Sequence, residues 1–223
     1  MRDVITVARK ELWELRYSTK SLLWLLAGVG LVAVGLAMSG DGTRSVVPLD
    51  YLYSGLPILI ALGMGGQIVL DSLLGEKKTR TLEILLSTNM PSMAIVMGKV
   101  IPATFAAYLL SQLSVLGLLA LSVLDLQHVI VSMAWVFFLA PLLLAYLASC
   151  VGIITTLLIP DEKFAPTVGV LILVAPFVLL ARSGAVLSAT NVILIVAGAM
   201  LLSTALTWLA ARVLKSAPWL TRL

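Results

Sequence analysis

The sequence predicts an all-α, polytopic membrane protein, and three observations carry that class. Of the 223 residues, 61% are hydrophobic and 12% charged, with a mean hydropathy of +1.10, whereas soluble domains carry roughly 25% charged residues. Apolar runs of about 20 nearly uncharged residues recur along the chain, the length that crosses a hydrocarbon core roughly 30 Å thick. They are continuous, unlike the alternating segments of about ten residues that build a transmembrane β-barrel. Basic residues, finally, collect in alternate connections between the runs, as helical membrane topology requires.

The chain opens at 1–20 with MRDVITVARKELWELRYSTK, too charged to hold the apolar core of a cleavable signal peptide. On a helical wheel Val4, Ile5, Ala8, Leu12 and Leu15 fall within an arc of about 100°. Arg9, Lys10, Glu14 and Arg16 fill the remainder, with Trp13 near the edge. This pattern predicts an interfacial helix lying flat, its tryptophan at headgroup depth. A first span follows at 21–38, then a polar loop rich in turn formers. The second span, 54–74, carries Gly63, Gly65 and Gly66, which either mark a close helix–helix approach or reflect the tolerance of membrane helices for glycine.

The segment at 75–91, GEKKTRTLEILLSTNMP, differs from everything around it because it is both charged and helix-patterned. Glu76, Lys77, Lys78, Arg80 and Glu83 crowd into eight positions, and Glu76 precedes Arg80 by four residues, the favourable order for a helical ion pair. Leu82, Leu85 and Leu86 share one helix face. Asn89 and Pro91 are expected to end the helix, since proline disfavours αR at the residue before it. An amphipathic helix between two spans is thus predicted, presented to something outside the bilayer.

The third span, 92–124, exceeds the length a crossing needs and is expected to tilt or project. The fourth, 131–159, is also long, and Pro141 is expected to kink it. After the polar turn PDEK come the fifth span, 164–181, and the sixth, 192–213. With six spans, one side of the membrane holds both termini, the amphipathic segment and the PDEK turn. That side carries Arg2, Arg9, Lys10, Arg16, Lys20, Lys77, Lys78, Arg80, Lys99, Lys163, Arg212, Lys215 and Arg222, which is 13 of the 15 basic residues; Arg44 and Arg182 are left for the other. By the positive-inside rule, both termini and the amphipathic segment are cytoplasmic. A cell-membrane location follows as the expectation.

The elements together resemble the membrane subunit of ABC-2 type (type V) ABC transporters along nearly the whole length. VARKELWELRYSTKSLLWLL is similar to that family's elbow helix leading into the first span. GEKKTRTLEILLST, with Gly98-Lys99 some ten residues on, resembles its charged run, TLE-x-LL-[ST] core and following GK. The layout of six spans, with this motif between the second and third, is the family's as well. Arg80 stands where the family usually has glycine, and Pro91 falls later than its usual proline.

The resemblance implies a single transmembrane domain over 1–223, with 1–20 as elbow helix and 75–91 as a coupling helix seated in a groove of a cytoplasmic ABC ATPase subunit. Glu76, Arg80, Thr81, Leu82, Glu83, Leu85 and Leu86 are then the ATPase contacts, leucines filling the groove and charges setting register. It further implies a second permease copy or paralogue, a lipid-embedded assembly with no nucleic acid, and export as the direction. Alternatives are the membrane subunit of the cytochrome c maturation type, serving haem handling, and a non-transporting anchor that transmits ATPase strokes.

No catalytic, cofactor-binding or metal site is predicted in the chain. It lacks G-x-x-x-x-G-K-[ST], so ATP and Mg are assigned to the partner. Neither a G-x-S-x-G elbow nor an H-E-x-x-H helix occurs. The single histidine, His128, has no metal-ligand spacing around it, and the single cysteine, Cys150, reads as a small apolar residue. Asp71 and Lys99 are placed at span ends bracketing the amphipathic segment. Gln67, Gln112, Thr155 and Thr156 make up much of the polar content of otherwise uncharged spans, which suits a lipidic or amphiphilic cargo.

Overall fold

A computed structural model describes residues 2–17, 49–79, 81, 90–120, 138–159, 164, 168 and 189–216. They are helical apart from short turns, with no strand among them. The helices are α1 (Arg2–Tyr17), α2 (Leu49–Lys78), α3 (Ser92–Ala120), α4 (Ala140–Leu158) and α5 (Ala189–Ser216). Four stretches within them are long and apolar enough to cross a membrane: Pro57–Lys78, Ser92–Gly117, Ala140–Leu158 and Ala197–Lys215. They match the second, third, fourth and sixth expected spans. The first (21–38) and most of the fifth (164–181) lie outside the described residues, as does His128.

The buried clusters give the helix directions. At one end of the bundle Val69 and Leu73 of α2 meet Val96 and Val100 of α3, Ile153 and Leu157 of α4, and Ala210, Ala211 and Leu214 of α5. Toward the other end Ile58 and Leu62 pack on Ala140 and Ala148, while Ala61 and Met64 pack on Ala107, Leu110 and Ala145. So α2, α4 and α5 run parallel, and α3 runs against them. The expected fifth span falls between α4 and α5, almost wholly outside the described residues. The first helix, α1, packs on α3, and the expected first span falls between α1 and α2, outside the described residues.

The contact between α2 and α4 is the most extensive in the bundle, and small residues make it possible. A Cβ on Gly65 would lie 2.6 Å from the Ala145 carbonyl oxygen, and one on Gly152 would lie 2.8 Å from that of Gly66. Ser149 Oγ donates to the Gly65 carbonyl at 3.1 Å and to the Ala145 carbonyl of its own helix at 2.8 Å. This is the close-approach, hydroxyl-bridged packing that substitutes for a hydrophobic drive between helices in lipid. Gly63 takes no part, with nothing within 4 Å of its Cβ direction. Of the two readings of the span-two glycines, close approach holds for Gly65 and Gly66 and simple tolerance for Gly63.

Three boundaries differ from expectation. First, α2 does not stop at 74: it passes through Gly75 to Lys78. The Thr79 amide and hydroxyl both bond the Gly75 carbonyl, closing its last turn. At 30 residues it is about 45 Å long, more than the roughly 30 Å core requires. Second, Pro141 stands at the start of α4, while 131–137 of the expected span lie outside the described residues. A π-helical turn at 138–139 leads into α4, and Pro141 occupies its first turn, where the missing amide costs no hydrogen bond. Third, Pro91 caps rather than only terminates, because its carbonyl accepts the Ala94 and Ile95 amides at the start of α3.

Candidate functional site

The polar side chains at the ends of α2 and α3 and the middle of α1 converge on one buried cluster. Lys99, eight residues into α3, is 2% exposed, and Glu11 and Glu76 are each 5% exposed. Lys99 Nζ lies 2.6 Å from Glu11 Oε1 and 3.0 Å from Glu76 Oε2, the second an ion contact without hydrogen-bond alignment. Lys10 Nζ reaches the other Glu76 oxygen at 2.8 Å from a half-exposed position. Ser72 Oγ accepts from Lys99 at 2.8 Å and donates to Glu11 Oε2 at 2.7 Å. Two cations and two anions therefore interlock around one hydroxyl, with no net charge.

Beside the cluster, α1 seats on α3 through Val7, which is buried and presses on Gly98; a Cβ there would come within 2.6 Å of the valine. The buried edge of α1 is thus Val7 and Glu11, at the margin of the apolar stripe read from the sequence. Ile5, in that stripe, is 66% exposed. Next door, Lys77 Nζ donates to the Thr156 carbonyl, one of the last four of α4, which satisfies a helix end and complements its dipole. On the outer face of α5, the Arg212 guanidinium lies 4.7 Å from the Trp208 ring centroid. Cations beside tryptophan are expected at a membrane–water interface. The described basic residues Arg9, Lys10, Lys77, Lys78, Lys99, Arg212 and Lys215 all belong to this end of the bundle.

The sequence-predicted contact residues fall into three groups. Glu76 belongs to the last turn of α2, and its carboxylate pairs with Lys10 and Lys99. Thr81 is exposed, its hydroxyl 2.8 Å from that of Thr79. Arg80, Leu82, Glu83, Leu85 and Leu86 lie outside the described residues. Lys99 does more than bracket the segment, for it holds the two helix ends together. Asp71 stands apart, exposed and bonded by Gln67 Nε2 at 2.9 Å.

Glu11 and Ser72 were not legible as site residues. A carboxylate on a charged helix looks solvated unless its partner is known, and Lys99 is 88 positions away. The available signal was Lys99 itself, because a cation within an apolar helix demands an anion. Thr155 and Thr156, part of the polar content of the spans, turn their hydroxyls back onto the Val151 and Gly152 carbonyls of their own helix. Among the described residues no group of three or more metal-ligating side chains occurs. Comparison with protein-family models, curated proteins and solved structures returned no match.

Proposed function

We propose that this chain is the membrane subunit of an ATP-driven transporter of the ABC-2 type, a six-span exporter half driven by a separate cytoplasmic ATPase subunit. The observation that carries the reading is the link between motif and cluster. The segment bearing TLEILLST leaves from the last turn of α2 and returns at the first turn of α3. Glu76, in the last turn of α2, and Lys99, two turns into α3, tie these helices to each other and to α1. A push on the segment is then delivered to two membrane-length helices at once rather than absorbed in a slack loop. Leu82, Leu85 and Leu86 supply the apolar face for the partner's groove, Arg80 and Glu83 its charged rim. Glu76 acts from behind as the brace. The basic residues gathered at this end support a cytoplasmic side for it.

The test is affinity purification of the chain from its native membranes in mild detergent, with mass spectrometry of what accompanies it. The expected partner is a soluble protein with a phosphate-binding loop, lost on Leu82→Asp because a buried charge in an apolar groove costs several kcal/mol. Glu83→Lys is expected to retain the partner more weakly, since rim charges set orientation more than affinity. Recovery of no ATPase under several detergents would remove the reading. A haem-handling membrane protein among the partners would redirect it to cytochrome c maturation.

A further inference from the structure

We propose that α1 is a reversible strap, which docks on the paired ends of α2 and α3 and leaves them as a charge-neutral unit. The proposal goes beyond the transporter reading and does not depend on it. It rests on how the four charges are divided. Lys10 and Glu11 are neighbours on α1, whereas Glu76 and Lys99 belong to α2 and α3. Each half is neutral by itself.

When α1 is docked, the halves interlock through Lys10–Glu76 at 2.8 Å and Glu11–Lys99 at 2.6 Å. When it leaves, Lys99 keeps Glu76 at 3.0 Å and Ser72 Oγ at 2.8 Å, so neither helix end is left holding an unpaired buried charge. Lys10 and Glu11 pass to water together. A single buried ion pair split between the two bodies, with no second partner on either, would oppose such a departure, because removing one partner strands the other. Among the described side chains of α1, Val7 is the one buried hydrophobic residue. Ile5 at 66% and Trp13 at 58% exposure leave α1 with an apolar surface on which to lie when it is off the bundle.

The test uses pairs of spin labels in the full-length protein in lipid nanodiscs, with Cys150→Ala as background. Labels at Ile5→Cys and Ile101→Cys, both exposed positions, report α1 against α3; Leu59→Cys and Leu109→Cys report α2 against α3. In the otherwise unaltered protein a docked distance is expected to dominate the first pair, with a minor longer one. Glu11→Gln leaves two cations against one anion and is expected to raise the longer fraction at least threefold while the second pair is unchanged. Lys10→Met added to Glu11→Gln restores neutrality and should bring the fraction back toward its starting value.

A charge exchange on α1 alone, Lys10→Glu with Glu11→Lys, is expected to abolish docking, and adding Glu76→Lys with Lys99→Glu to recover it. The strap is overturned if no variant shows a longer distance, or if both label pairs broaden together, which would make α1 an integral part of the core. A double variant no better docked than Glu11→Gln alone would overturn the neutral-halves argument. The Glu11 series decides the matter even where the four-residue exchange does not fold.

Discussion

Lys99→Met is expected to destabilise the protein by about 3–5 kcal/mol, the cost of leaving a buried charge without its partner. Lys99 is the one cation touching both Glu11 and Glu76, and Ser72 is bonded to it as well. Its removal leaves Glu11 without its buried cation, bonded to the Ser72 hydroxyl. Glu76 keeps Lys10 at 2.8 Å and is hurt less. Adding Glu11→Gln to Lys99→Met is therefore expected to recover most of the loss, leaving Lys10–Glu76 as a single balanced pair. Thermal unfolding of the detergent-purified protein, followed by loss of the monodisperse size-exclusion peak, checks both variants. Equal melting of Lys99→Met and the unaltered protein would show that the cluster contributes nothing.

Gly65→Val and Gly152→Val should each separate α2 from α4. The substituted Cβ would meet backbone, 2.6 Å from the Ala145 oxygen for Gly65 and 2.8 Å from the Gly66 oxygen for Gly152. Neither obstacle is a side chain that can swing aside, so the helices must part. Overpacking of a tight core costs about 1–3 kcal/mol, and a branched side chain at a helix crossing belongs at the upper end. The Ser149 bond to the Gly65 carbonyl is lost with it. Gly63→Ala is the matched control: nothing lies within 4 Å of its Cβ direction, and alanine gains about 0.5–1 kcal/mol of helix propensity over glycine. Melting should fall for the first two and hold or rise for the third. A uniform fall would mean that glycine is needed for backbone conformation rather than for approach.

Membrane class, helix content and the position of four spans follow from local chemistry, because a backbone crossing hydrocarbon must satisfy its own hydrogen bonds and a run of about 20 apolar residues has one structure available. The gathering of basic residues at one end is similarly local in origin: each connection carries its own charges.

What the tertiary structure alone decided is which of these features touch. Glu11 stands on a short, highly charged helix and reads as solvated by pattern, yet it faces a lysine 88 positions away. Gly63 and Gly65 are two residues apart, and only Gly65 meets another backbone. Glu76, grouped by sequence with the residues offered to a partner, is turned inward by Lys10 and Lys99. The physical reason is common to all three. Hydropathy and periodicity report whether a residue tolerates water or lipid, whereas a buried charge or a missing Cβ acquires its meaning from the one neighbour that long-range packing sets against it.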